Sequence, residues 1–423
     1  ERLKQAQMLL QTVDQLDGDD RTGSGAQPSR LEVLVWSPSW ERHQDLRPHA
    51  TEAPDIDLDT PIRADAVLAI AEKAAKWQWE NIPEGWSYQP TSWTLGPFYI
   101  GTLAIAELLP DSGLEERMIE QGKSLGWQPH ERIYDADDHV VMQPYLKLYL
   151  KYRDEAMLTP SRERLDEVLA NPPTGSLDWG LPESRDRWSW CDALFMGPMS
   201  WLLMYKATGE EKYLELMNRE WWATSERLYR PEVGLFVRDE SYLDLREPNG
   251  ETIHWARGTG WSIAGLAQVL ENLPQAYPYY PRYEKQFREL CRAFLDAQQG
   301  DGLWRPGLLD PGTHTARETS GSSFAVFSLA WGINHGVLDP EVYLPAVIRG
   351  WNALTACVTE AGKLEHVQPI GAAPHGFDPS NSEPFATGAF LMAASEVYHL
   401  VDESLDQTSV SHRVESPVSS GED

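Results

Sequence analysis

The chain has 423 residues, 41% of them hydrophobic and 24% charged, with 65 acids against 36 bases and a formal net charge of −29. That much apolar material fills a large core, while the negative field excludes nucleic acid and an anionic membrane surface as partners, since both require positive charge. No run approaches the ~18 apolar residues of a membrane span, so no membrane insertion is expected, and 18 tryptophans suit both a core and the faces of sugars.

Residues 1–54 read as a partly irregular N-terminal extension. "DQLDGDDRTGSGAQPSR" is polar and turn-rich, with a short helix expected near residues 2–16. Residues 55–402 read as one helical domain, and residues 403–423 as a disordered tail without apolar periodicity. The start at Glu1 carries no charged segment followed by an apolar one, so a signal peptide is taken as removed or never present, and localisation rests on function.

Within the domain, charged amphipathic helices alternate with helices of small and apolar residues. "ADAVLAIAEKAAKWQW" precedes "SWTLGPFYIGTLAIAELL" from Ser92, and "GLEERMIEQGKSLGW" precedes "DDHVVMQPYLKLYLKY" from Asp137. "SRERLDEVLA" then leads to "CDALFMGPMSWLLMYKA" from Cys191, and "EKYLELMNREWWATSERLY" to "RGTGWSIAGLAQVLENL" from Arg257. "RYEKQFRELCRAFLDAQQ" precedes "TSGSSFAVFSLAWGINHG" from Thr319, and "PEVYLPAVIRGWNAL" precedes "PFATGAFLMAASEVYHL" from Pro384. Helices apolar all round are buried ones, and small residues let them approach closely. Six buried helices alternating with six surface helices predict an all-α fold, an (α/α)6 barrel of six helical hairpins. The spacing of the openings is too irregular for a tandem solenoid. In such a barrel the six openings gather at one end.

These openings supply Trp93 and Tyr99; Asp137, Asp138 and His139; Trp188, Trp190 and Asp192; His254, Trp255, Arg257 and Trp261; and Glu318, Thr319 and Ser320. Aromatic rings, carboxylates and an arginine together suit a negatively charged sugar. Asp192 is the acid that stands out, set among Trp188, Trp190, Leu194 and Phe195: it is either hydrogen-bonded for structure or held with a raised pKa for proton transfer. Asp138 is read as a helix cap or as a second active carboxylate. Arg257 is read as a clamp on a carboxylate or as a structural ion pair. His139 and His254 are read as structural hydrogen-bonders or as substrate contacts. "DADD" lacks the glycine and later glutamate of a calcium loop, and Cys191, Cys291 and Cys357 lack metal-ligand spacing, so no metal or cofactor is expected and the thiols are read as reduced. Two carboxylates suggest glycoside chemistry.

"WCDALFMGP", "GLF", "WARGTGW", "ETSGSSFAVFSLAWGI" and "GAFLMAASE", in this order, resemble the unsaturated glycuronyl hydrolases, closest to the unsaturated rhamnogalacturonyl hydrolase type of glycoside hydrolase family 105, related to family 88. The resemblance runs from about Trp93 to Glu396. It implies an exo-acting, metal-free (α/α)6-barrel enzyme that removes the 4,5-unsaturated uronic acid left by polysaccharide lyases. The bond is broken by hydrating C4=C5, one aspartate protonating C4 and activating water for C5. On this resemblance Asp192 is the acid/base, Asp138, in "YDADDH", the second active-site aspartate, and Trp93, Tyr99, Trp190 and Trp261 shape the sugar pocket. Charge, apart from the resemblance, points to Arg257 as the residue that approaches the uronate, and His139, His254 and Arg238 are further substrate-binding candidates. Some members carry a histidine after "GLF", where this chain reads "GLFVRDESY" with Arg238 and Asp239. That cation suits an unsaturated glucuronyl unit or a sulfated oligosaccharide, such as one from ulvan, as an alternative to a rhamnogalacturonan unit. The expected partner is an anionic unsaturated oligosaccharide, met in the periplasm or outside the cell. Ordinary two-carboxylate hydrolysis of a saturated sugar and non-catalytic sugar binding are the competing readings.

Overall fold

A computed structural model describes residues 57–181 and 183–414, with side chains to Val401. The expected extension over residues 1–54, with its helix near 2–16, lies outside the described residues, as do residues 415–423.

In chain order the helices are α1 (Ala64–Glu80), α2 (Gly96–Leu108), α3 (Leu114–Ser124), α4 (Ala136–His139), α5 (Met142–Tyr152), α6 (Glu155–Ala170), α7 (Ala193–Met196), α8 (Pro198–Thr208) and α9 (Glu211–Leu228). A two-stranded antiparallel ribbon follows, β1 (Tyr229–Arg230) with β2 (Leu235–Phe236), pairing Tyr229 with Phe236. The chain continues through α10 (Ala256–Asn272), α11 (Tyr280–Ala297), α12 (Thr319–Asn334), α13 (Pro340–Thr355) and α14 (Pro384–Val414). The short α4 and α7 lead directly into α5 and α8. With each pair counted as one inner segment, six inner and six outer helices alternate as the sequence predicts.

The inner helices pack in a ring: α2 on α5, α5 on α8, α7 and α8 on α10, α10 on α12, α12 on α14, and α14 back on α2. Closure against α2 gives the last inner helix a partner, so this is a barrel and not an open array. Burial follows the two sequence types. Every residue of α12 from Thr319 to Gly332 is buried. Outer α11 buries only Tyr283, Gln286, Phe287, Leu290, Cys291 and Phe294, a stripe at helical spacing. The closing contact depends on glycine: a Cβ at Gly388 of α14 would lie 2.2 Å from the Pro97 carbonyl oxygen, and one at Gly101 of α2 would lie 2.3 Å from that of Gly388.

Three boundaries differ from expectation. Inner α2 begins at Gly96 instead of Ser92, because Ser92 and Thr94 are spent on the carbonyl of Ser87. Outer α6 begins at Glu155, capped by the Asp154 side chain, and carries Pro160 inside it. Finally, α14 runs past residue 402 to Val414. All three cysteines are buried and unpaired.

Short bridges stitch the loops at the opening end together. Trp190 pairs with Asp239, Trp255 with Gly307 and Trp304 with Glu318. The segments preceding α7, α10 and α12 are thereby held against their neighbours, and they carry the candidate site.

Candidate active site

Asp192 precedes the first turn of α7, and its backbone carbonyl accepts from the N–H of Phe195 at 3.0 Å, but its side chain caps nothing. The flanking Trp190, Cys191 and Ala193 are buried, whereas Asp192 itself is half-buried. Among the described residues, one hydrogen bond reaches the carboxylate, donated by Cys191 Sγ to Oδ1 at 3.4 Å. Desolvation pushes its pKa from 3.8 up to about 6, opposed first by the nearby Arg238 guanidinium and then by the Cys191 bond and Arg257. A carboxyl with a pKa of about 6 is roughly one-tenth protonated at pH 7 and half protonated about one pH unit lower, and it is partly open to solvent. The side chain therefore shows a feature of each reading, a hydrogen bond from Cys191 and a raised pKa.

Arg238 follows β2 and reaches Asp192 through the bridge between Trp190 and Asp239. Its guanidinium pairs with Asp239 and lies over the Trp179 ring, 4.0 Å from the centroid. Trp179 meets Trp190 edge-on at 6.0 Å, and Arg185 covers the other ring, 4.7 Å from the Trp190 centroid. Two cations thus bracket two indoles beside the raised acid. Arg238 Nε is buried without a partner, leaving one donor unspent. Burial raises the Tyr242 hydroxyl to about 12, so it stays protonated beside Asp192 and Arg238.

The acidic run before α5 is divided by two arginines. Asp135, not Asp138, is the helix cap, accepting from the Asp137 N–H at 3.0 Å while also pairing with Arg132 and Arg185. Asp138 is 1% exposed and faces Arg132, accepting from its backbone N–H at 2.6 Å and from its Nε at 3.1 Å. The Arg132 guanidinium thus holds one carboxylate oxygen and the Arg132 backbone N–H the other, so the second aspartate expected at the site already has both oxygens engaged. Asp137 pairs with Arg185. Desolvation raises its pKa, Arg185 opposes the rise, and the charges of Asp135 and Asp192 add to it.

The structure places the other expected residues as follows. Trp190 lines the site, and half-buried Trp93 stacks on Phe385 at 5.5 Å, a ring that Arg257 also covers. Arg257 is not free to clamp a uronate: it is 1% exposed, and its terminal nitrogens donate to the carbonyls of Gln368 and Pro369 and to Ser320 Oγ. It pins the 366–369 loop instead. Trp261 is buried among Phe195, Phe324 and Phe385. Tyr99 stacks on Trp79 in the core and donates to the Pro90 carbonyl at 3.0 Å. His139 bonds the Ile133 carbonyl through Nε2 and His254 the Phe236 carbonyl through Nδ1; both are 1% exposed, and desolvation lowers both pKa values. Each ring makes one hydrogen bond to a backbone carbonyl, and the other nitrogen of each, His139 Nδ1 and His254 Nε2, is buried without a partner.

Sequence reasoning did not assign Arg185 or Trp179 to the site. The available signal was local: "SLDWGLPESRDRWSW" leads into Asp192 and carries three tryptophans and three cation–acid alternations. A separate recess of about 300 Å³, lined by Trp77, Asn81, Pro83, Lys363 and Asp378, shares no residue with this cluster. Its acid, Asp378, is held below the usual carboxylate range by the Ser380 backbone and hydroxyl, so it carries no proton near neutrality.

Residues 70–401 match Glycosyl Hydrolase Family 88. The chain is 35% identical over 377 residues to an unsaturated 3S-rhamnoglycuronyl hydrolase of Alteromonas sp. (strain LOR), an overlap covering 84% of this chain and 91% of that protein. It is 36% identical over 335 residues to a protein of the same name from Formosa agariphila, covering 76% and 88%. A solved family 88 glycosyl hydrolase from Bacteroides vulgatus matches with a TM-score of 0.72 at 27% identity, over 80% of this chain and 99% of that one. The barrel, the raised acid at its open end and these likenesses agree: the chain belongs to Glycosyl Hydrolase Family 88 and is a glycoside hydrolase.

Proposed function

We propose that this enzyme removes the 4,5-unsaturated uronic acid from the non-reducing end of oligosaccharides produced by polysaccharide lyases, with an unsaturated glucuronyl unit on sulfated rhamnose as the preferred substrate. The observation that carries the reading is Asp192, a half-buried carboxyl raised to about 6 by desolvation beside Arg238. Protonated Asp192 gives its proton to C4, and the developing positive charge at C5 is met by water. The resulting Asp192 carboxylate takes a proton from that water as the C5–O bond forms. The hemiketal at C5 opens by breaking its bond to the ring oxygen, which leaves a hemiacetal at C1 that expels the remaining sugar. One residue thus serves as acid and then base. Asp137, and not Asp138, acts as the second carboxylate, orienting the sugar ring through its hydroxyls while Arg185 holds it in place.

Arg238 supports an anionic substrate of this kind, since it sets a guanidinium, stacked on the Trp179 indole, beside Asp192 where some relatives of the resembled family carry a histidine. The names of the two relatives point to the same substrate class. Lyase products of this kind arise where extracellular polysaccharide is cut, which supports work in the periplasm or outside the cell. The test is to incubate the enzyme with unsaturated glucuronyl–sulforhamnose and with unsaturated galacturonyl–rhamnose and follow the ultraviolet absorbance of the conjugated alkene. Absorbance falls with both substrates, faster on the sulfated unit, and Arg238→His narrows the preference. Unchanged absorbance with cleavage of saturated glycosides would replace hydration by ordinary hydrolysis, and an unchanged preference in Arg238→His would remove Arg238 from substrate choice.

A further inference from the structure

Cys191 has no part in the reaction as written above, yet its position is over-determined. Its N–H donates to the Arg238 carbonyl at 2.8 Å, and its own carbonyl accepts from Ser262 Oγ of α10 at 3.1 Å. The side chain is fully buried, and its Sγ donates to Asp192 Oδ1 at 3.4 Å, an ordinary length for a thiol donor. A Cβ at Gly258 would stand 3.2 Å from this sulfur and 3.6 Å from that oxygen, so the first glycine of "RGTGW" clears the slot that thiol and carboxyl share. Burial and the Asp192 charge push the Cys191 thiol well above its usual range, so it remains a donor at every working pH. Among the described residues, Asp192 Oδ2 receives no comparable bond.

We propose that Cys191 is a positioning residue for the general acid/base: its thiol fixes Oδ1 of Asp192, leaves Oδ2 as the oxygen that carries the proton, and favours the carboxylate that accepts a proton from water. The kinetic form of this inference rests on Asp192 being the proton donor of the proposed hydration. The other ionisable groups facing Asp192 are Arg238, Asp239 and Tyr242 from the segment after β2, Arg257 from α10 and Asp137 from α4. A change at Cys191 leaves all of them chemically intact.

The experiment compares pH profiles of kcat and KM for wild type, Cys191→Ala and Cys191→Ser by alkene loss. Activity falls on the alkaline side as Asp192 ionises. Without the thiol the carboxylate loses a donor, so in Cys191→Ala this limb moves to higher pH by about half a pH unit, with kcat reduced several-fold and KM little changed. Serine supplies a donor again, so in Cys191→Ser the limb returns to the wild-type position or below it. Coincident profiles, or a shift in the same direction in both variants, overturn the proposal. A second measurement needs no turnover and no Cys191 variant. In the infrared S–H region of the wild-type protein, one thiol band moves to lower frequency as pH rises through the ionisation of Asp192, and in Asp192→Asn none moves. PH-independent thiol bands in wild type overturn the proposal even for a protein that consumes no alkene, and a moving band sustains it there.

Discussion

Asp192→Asn keeps the volume of the side chain and removes both its charge and its exchangeable proton. In the folded chain desolvation raises this carboxyl from 3.8 to about 6, so ionising it is harder folded than unfolded. Below the unfolded value the group is neutral in both states and imposes no penalty. As pH rises from about 4 to about 6 the unfolded chain releases the proton first, the folded state loses relative stability, and the penalty is constant above that window. A gap of about two pH units corresponds to a ceiling of about 3 kcal/mol. Solvent access to half-buried Asp192 and the weakened bond from Cys191 reduce the expected gain to about 1–2 kcal/mol. Urea denaturation at pH 4 and pH 7.5 measures it: the variant and wild type agree to within about 0.5 kcal/mol at the lower pH, and the variant is the more stable by the larger margin at the higher one. In the same preparation kcat for alkene hydration falls by on the order of 10² or more. A stability difference independent of pH, or a variant that is weaker at pH 7.5, would refute the raised carboxyl, and near-wild-type turnover would remove Asp192 from the chemistry.

The neighbouring acids separate by the same logic. Asp137→Asn folds with wild-type stability to within about 1 kcal/mol, yet loses activity by on the order of 10². Asp138→Asn breaks the buried half of the Arg132 pair, losing about 1–3 kcal/mol in denaturant while the folded fraction keeps its kcat. The reverse pattern in paired kinetic and unfolding measurements would restore Asp138 to the site. At the barrel seam, Gly388→Ala puts a methyl 2.2 Å from the Pro97 carbonyl oxygen and forces α2 and α14 apart, at a cost of about 1–3 kcal/mol; an unchanged urea midpoint would show that the inner ring is not closed at this contact.

The alternation of six all-apolar and six amphipathic helices was legible in the chain because burial is written into composition: α12 has no polar face to expose, and α11 has one apolar stripe. Asp192 was legible for the same reason, as a carboxylate in a run with no local partner. What the linear order cannot contain is which cation meets which acid. Asp137 and Asp138 are adjacent, of one residue type and in one helical turn, and they part only because Arg132 folds back on one while Arg185, about fifty positions later, reaches the other. Arg257 likewise reads as an available clamp until the 366–369 loop arrives to occupy its nitrogens. Hydrophobic burial is local and additive enough to be read along the chain, whereas a carboxylate's protonation and an arginine's availability depend on charges and carbonyls that tertiary packing alone brings within a few ångströms.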